Sequence, residues 1–268
     1  MQQVKPVEWI SESKFIVDGL EFRSDLGSYT ELTRPDSVVV LKDARLLRQY
    51  LDFFAPHRTD NILELGIWQG GSPLFYGMAT DVRKVVALDH LNPGPRPPEV
   101  EPDSALALAY KNPALDEIVS ARQIGDKVKL YFGVSQDDRA AVSDIIDREF
   151  AGEALDLVFD DASHHYELSR KSFEIVFPRL REGGLYIIED WQWAHSAYYQ
   201  SGGAFEGKPA LTNLIFELLI AFGTHPDLFW NIVVRDWFIA VQKGSKPLAG
   251  NFRLDDLMLM RGEKLTLI

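Results

Sequence analysis

The spacing of apolar positions along the chain changes period several times, and each change marks an element. From Asn61 onward, short apolar runs alternate with amphipathic stretches. NILELG (61–66), KVVALDH (84–90), VKLYFG (128–133), LDLVFDD (155–161) and GGLYIIED (183–190) read as strands. Between them, WQGGSPLFYGMA is a glycine turn opening a helix, and DSALALAY with its continuation is helical. Further helices are predicted over Asp137–Phe150 and Tyr166–Arg181. Apolar strands separated by helices imply an α/β fold, with a parallel sheet covered on both faces and right-handed crossovers. A helix over Pro209–Phe222 then precedes two strands, Asn231–Arg235 and Phe238–Gln242. Their connection is too tight for a crossover helix, so they form a terminal antiparallel hairpin.

The N-terminal part is less regular. Lys14 to Val17 is a short alternation broken by Asp18-Gly19, and Ser28 to Leu41 reads as loop. Apolar residues at helical spacing (Ala44, Leu47, Leu51, Phe54) predict a helix over Asp43–Phe54, capped by Asp43. Pro93 to Pro102 is a proline-rich loop. The expected organisation is a single domain: an N-terminal extension or cap (1–55), a core (56–245) and a C-terminal tail (246–268).

Composition narrows the partners. With 40 acidic and 28 basic residues, the formal net charge of the 268-residue chain is −12, which disfavours nucleic acid and anionic membrane surfaces. It points instead to an uncharged or cationic ligand. The absence of cysteine removes disulfides, thiolate catalysis and zinc–thiolate sites. No signal pattern opens the chain and no apolar run reaches the roughly 20 residues needed to span a bilayer, so a cytoplasmic protein is expected.

The first candidate site is the glycine turn. LELGIWQGGS presents Glu64-x-Gly66-x-x-x-Gly70-Gly71 at a strand-to-helix junction, where backbone N–H groups can meet a ligand. A dinucleotide fingerprint needs another glycine where Trp68 stands. The spacing resembles the acidic-x-Gly-x-x-x-Gly motif of class I S-adenosylmethionine-dependent methyltransferases. That resemblance implies donor binding by Glu64, Gly66, Gly70, Gly71 and Ser72. Asp89, ending the next strand, is placed either to accept from ribose hydroxyls or to cap a turn. In GVSQDD, Ser135, Gln136 or Asp137 borders an adenine ring, unless Asp137 is a plain N-cap.

The second candidate site is Leu155 to Trp193, where two strands end in paired carboxylates and two histidines lie between them. Parallel strand tips of this kind converge oxygen ligands on one divalent cation. Side-chain alternation puts Asp160 and Asp161 on opposite faces, and likewise Glu189 and Asp190. His164 or His165 would move a proton, with His164 preferred, and Trp191 and Trp193 form either an aromatic wall or core.

Asp160-Asp161-x-Ser163-His164, Phe177-Pro178-x-Leu180, Gly183-Gly184 and Ile188-Glu189-Asp190 together resemble the metal-dependent macrolide-sugar O-methyltransferases, grouped with cephalosporin-hydroxylase-like proteins. The resemblance runs from about Asn61 to Trp193; the family usually has glycine where Ala162 stands. It implies a Rossmann-like, doubly wound, mostly parallel seven-stranded sheet with the antiparallel hairpin at its end. It also implies metal binding by Asp161 and Asp190, with Glu189 a further candidate, and His164 as general base. Asp160 falls to the cofactor side. The implied activity is Mg2+-dependent methyl transfer from S-adenosylmethionine to a hydroxyl of a small natural product, a sugar above all, by a homo-oligomer. A metal-dependent hydroxylase or hydrolase on the same scaffold and a non-catalytic donor-binding partner subunit are the alternatives.

Overall fold

The computed structural model describes residues 5–24, 31–101, 104–200, 203, 205–257 and 262–263. The chain divides into two compact units, Met1–Val134 and Ser135–Ile268. Seven strands make a mostly parallel sheet, and four N-terminal strands make a second one.

In the first unit, β1 (Val7–Ser11), β2 (Lys14–Val17) and β3 (Leu20–Ser24) form an antiparallel meander. Strand β4 (Ser37–Val40) adds to β3 in parallel register, Phe22 opposite Val38. All four residues of β4 are buried, which corrects the expectation of a loop there. The three valines favour extended backbone, and Arg34 and Ser37 exchange backbone hydrogen bonds that turn the chain into the strand. Ser28 to Thr30 of the expected loop lie outside the described residues. Helix α1 (Ala44–Phe54) follows, and the Asp43 carboxylate accepts from the Leu46 N–H at its N-terminus, as the sequence predicts.

Strands β5 (Asn61–Leu65), β6 (Lys84–Asp89) and β7 (Val128–Phe132) run parallel in that order. Helix α2 (Gly71–Ala79), between β5 and β6, is buried along its whole length. Phe75 of this helix meets Phe15 edge-on at 5.6 Å, and Phe15 stacks on Phe22 at 5.2 Å, so the small sheet covers the helix. That covering dictates Gly71: a β-carbon there would fall 2.5 Å from the Val40 Cα. The helical reading of the stretch before β7 holds in two pieces, a 3-10 turn over Ala105–Ala109 and α3 (Ala114–Ala121).

The second unit opens with α4 (Arg139–Phe150). Its cap is Asp138, which accepts from the Ala140 and Ala141 N–H groups; Asp137 instead accepts from Ser135 and pairs with Lys171. Strand β8 (Leu155–Asp160) leads to α5 (Tyr166–Val176), which ends sooner than expected because Pro178 forces a 3-10 turn. Strand β9 (Leu180–Glu189) lies parallel to β8. A 3-10 turn over Trp191–His195 and a short α6 (Ala197–Gln200) precede α7 (Thr212–Thr224). Strands β10 (Phe229–Val234) and β11 (Phe238–Lys243) form the expected hairpin, and β11 pairs antiparallel with β9. Phe173, Phe177 and Phe229 stack in sequence across this core, with Tyr186 meeting Phe173 edge-on. Among the described residues, no helix is long and apolar enough to cross a membrane.

Candidate functional site

The chain leaves β8 at Asp160 and reaches α5 through a short loop, Asp161 to His165. It leaves β9 at Glu189 and enters a 3-10 turn at Asp190. His164 and Asp190 both hold left-handed backbone, φ 54° and 55°, a region that costs most side chains energy but that His and Asp tolerate better than most. These two turns bring Asp161, His164 and Asp190 together. One ligand atom from each lies within 4.8 Å of the others, and all three residues are partly buried. His164 Nε2 stands 3.9 Å from Asp161 Oδ1 and 3.8 Å from Asp190 Oδ2. Two carboxylates this close repel one another, and a divalent cation relieves that repulsion directly. The two carboxylates suit such a cation, and the His164 imidazole stands beside them.

Glu189 is not in this group. It is 3% exposed at the end of β9.

Asp160 faces the opposite way from Asp161, as alternation requires, and is sealed in the core at 2% exposure. Ser172 Oγ donates to its Oδ2 at 2.8 Å, Tyr186 Oη donates to the same oxygen at 3.0 Å, and Gln136 Nε2 donates to Oδ1 at 3.1 Å. Burial outweighs these donors and pushes its pKa up to about 6. These three partners occupy the carboxylate with the protein's own side chains. Gln136 is buried too, and its Oε1 accepts from the Ser163 N–H, which ties Asp160 to the loop carrying His164.

Aromatic rings enclose the imidazoles. Trp193 lies 4.6 Å from His164 and stacks on Tyr199 at 4.3 Å. His165 stacks on Phe205 at 4.9 Å, and its pKa falls through burial and the nearby Lys208 and His164. Phe205 was not foreseen as part of this wall; nothing in its spacing signals it.

The first unit holds the glycine turn. Gly66 and Gly70 have φ of 105° and 80°, and Trp68 between them also has positive φ, 49°. Asp89 braces this turn: its Oδ2 accepts from the Ile67 N–H at 2.7 Å and the Trp68 N–H at 3.0 Å, and its Oδ1 from the Leu91 N–H at 3.0 Å. Burial pushes the Asp89 pKa up, but His90 and these backbone donors prevail and hold it below the usual carboxylate range. Glu64 is 1% exposed within β5. Ser72 Oγ accepts from Lys42 Nζ at 3.1 Å. Gly70 and Gly71 are required by packing, since a β-carbon at Gly70 would meet Leu115 at 2.3 Å. Ser135, in the second unit, is exposed and donates to Asp137.

The alternating strands and helices with a terminal antiparallel hairpin define the class I methyltransferase fold. Residues 63–191 match the family model described as "Methyltransferase domain". The chain is 48% identical over 62 residues to demethylmacrocin O-methyltransferase of Streptomyces fradiae, covering 22% of this chain and 15% of the relative. It is 38% identical over 71 residues to 8-demethyl-8-alpha-L-rhamnosyl tetracenomycin-C 2'-O-methyltransferase of Streptomyces olivaceus, covering 26% and 18%. The matched chain therefore spans less than a fifth of either relative's length. Among solved structures, a candidate caffeoyl-CoA O-methyltransferase from Staphylococcus aureus shares the fold at TM-score 0.50 and 18% identity, over 77% of this chain and 86% of that one.

Proposed function

We propose that the chain is an S-adenosylmethionine-dependent O-methyltransferase that uses a divalent cation, Mg2+ or another of similar size, and acts on a sugar hydroxyl of a natural product. The observation that carries this reading is the convergence of Asp161, His164 and Asp190 inside a segment that matches a methyltransferase domain. The sugar acceptor rests on the second relative, whose name specifies 2'-O-methylation of a rhamnosyl compound.

On this reading Asp161 and Asp190 hold the cation through their carboxylates. When bound, the cation acidifies and orients a hydroxyl, which near neutral pH is otherwise a poor nucleophile. His164 accepts the hydroxyl proton at Nε2 as methyl transfer proceeds, a contribution typically worth about 10²–10⁴-fold. Trp193 packs against the imidazole and limits its rotation. The turn from Gly66 to Ser72, braced by Asp89, binds the methyl donor. Residues 1–55 serve as an extension of the core and 246–268 as its tail, and the working form is a homo-oligomer.

Incubation with S-adenosylmethionine, Mg2+ and a panel of glycosylated polyketides tests the proposal by mass spectrometry. The expected product carries one added methyl group, with S-adenosylhomocysteine formed in equal amount, and a chelator abolishes both. A product that gains oxygen or water, with no S-adenosylhomocysteine, contradicts it.

A further inference from the structure

The first unit contains a cavity of about 480 Å³ whose wall includes Arg23, Arg34, Arg96 and Lys111 and one carboxylate, Glu31. Four cations around one cavity stand out on a chain of formal net charge −12. The volume falls within the range of small-molecule sites. Two of the cations are already matched: Arg23 pairs with Glu31 at 2.9 Å, and Lys111 pairs with Asp116. Arg34 and Arg96 have no carboxylate partner among the described residues. Two guanidinium groups without counter-charges, facing one cavity, suit a ligand that carries two negative charges.

The cations sit on braced backbone. Arg34 exchanges backbone hydrogen bonds with Ser37 at 2.8 and 3.0 Å. Its neighbour Thr33 is buried and locked to Gln69: the Thr33 N–H donates to Gln69 Oε1, and Thr33 Oγ1 donates to the Gln69 carbonyl. Asn112 Nδ2 donates to the same Gln69 oxygen at 2.8 Å. Arg96 lies between Pro95 and Pro97, whose rings fix φ. The Lys111 N–H donates to the Asn92 carbonyl, and the Asn92 N–H to that of Ala109, closing the loop that carries both. Less ordering is then required on binding, which is where preorganised sites gain affinity.

We propose that this cavity binds a phosphorylated small molecule, its dianionic phosphate or diphosphate gripped by Arg34 and Arg96. Guanidinium forks match phosphate oxygens bidentately. The site has the opposite sign to the chain as a whole, so the ligand class is not the uncharged or cationic one that net charge suggests. The proposal goes beyond methyl transfer and is tested by binding alone.

The test is calorimetric titration of the full chain with a hexose 1-phosphate, a nucleoside diphosphate hexose, inorganic pyrophosphate and glucuronate, at low and high salt. At least one phosphorylated probe binds at one site per chain, glucuronate binds at least about tenfold more weakly, and affinity falls with salt. Arg34→Gln and Arg96→Gln each weaken the phosphorylated probe by about tenfold or more, as loss of a charge-assisted contact does. Both variants retain wild-type melting temperature and S-adenosylhomocysteine affinity, which distinguishes loss of the phosphate grip from damage to the donor turn, whose Gln69 also lines the cavity. The proposal is overturned by no binding of any phosphorylated probe, by equal binding of glucuronate, by unchanged affinity in both variants, or by competition between the probe and S-adenosylhomocysteine.

Discussion

His164 Nε2 lies 3.8 Å from Asp190 Oδ2, and the two residues share left-handed backbone although they belong to different turns. Such conformations cost of the order of 1 kcal/mol or more each and persist where the surroundings over-determine them. Here the surroundings are the Trp193 ring against His164 and the Asp190 N–H, which donates to the Trp237 carbonyl at 3.0 Å.

Asp190→Asn keeps a residue that tolerates this backbone and removes one charge. Divalent-cation affinity should fall by about tenfold or more, while the chelated protein melts at or slightly above the wild-type temperature because carboxylate repulsion is relieved. Titration calorimetry and melting curves with and without chelator measure the two effects.

His164→Ala should leave S-adenosylhomocysteine and cation affinities within a few-fold of wild type and lower turnover by about 10²–10⁴-fold. A variant that binds both and still turns over at the wild-type rate would remove His164 from proton transfer.

Asp160 makes folding depend on pH in an unusual direction. Its folded pKa of about 6 exceeds the ordinary aspartate value of 3.8, so the folded state holds the proton more tightly between those values. Its contribution to stability is therefore present below about pH 4 and lost as pH rises through about 6, by roughly 3 kcal/mol at most. Asp89 acts oppositely: its folded pKa is depressed, so its contribution is present above the ordinary carboxylate pKa and lost as pH falls through the depressed value. Denaturant unfolding from pH 4 to 7 should show a smaller fall in stability for Asp160→Asn than for wild type.

Gly71→Ala should destabilise by about 1–3 kcal/mol or more, because the added carbon meets backbone, 2.5 Å from Val40 Cα and 2.6 Å from the Val39 carbonyl oxygen, neither of which can swing aside. The loss should appear in denaturant midpoints even with no donor present, which distinguishes a packing glycine from a ligand-contact glycine.

The sheet was legible because parallel strands covered on both faces read as unbroken apolar runs. The hairpin was legible from the short Asp236-Trp237 connection between its strands. Strand β4 was not: Val38 to Val40 follow Thr33, Pro35, Asp36 and Ser37, a composition typical of turns, and their burial comes from pairing with β3 and covering Gly71. At the strand tips, alternation by itself separated Asp161 from Asp160. It could not reveal that Ser172 and Tyr186, 12 and 26 residues away, close around Asp160. The arginine-lined cavity draws its cations from separate segments, and net charge concealed it.

The central claim is that Asp161 and Asp190 hold a cation beside His164 and that this site serves methyl transfer. Calorimetric titration of Mn2+ into chelator-stripped protein, repeated for Asp161→Asn and Glu189→Gln, tests it most directly. The account predicts one site per chain in the wild type and in Glu189→Gln, and its loss in Asp161→Asn. Undiminished binding in Asp161→Asn, or loss confined to Glu189→Gln, would contradict it.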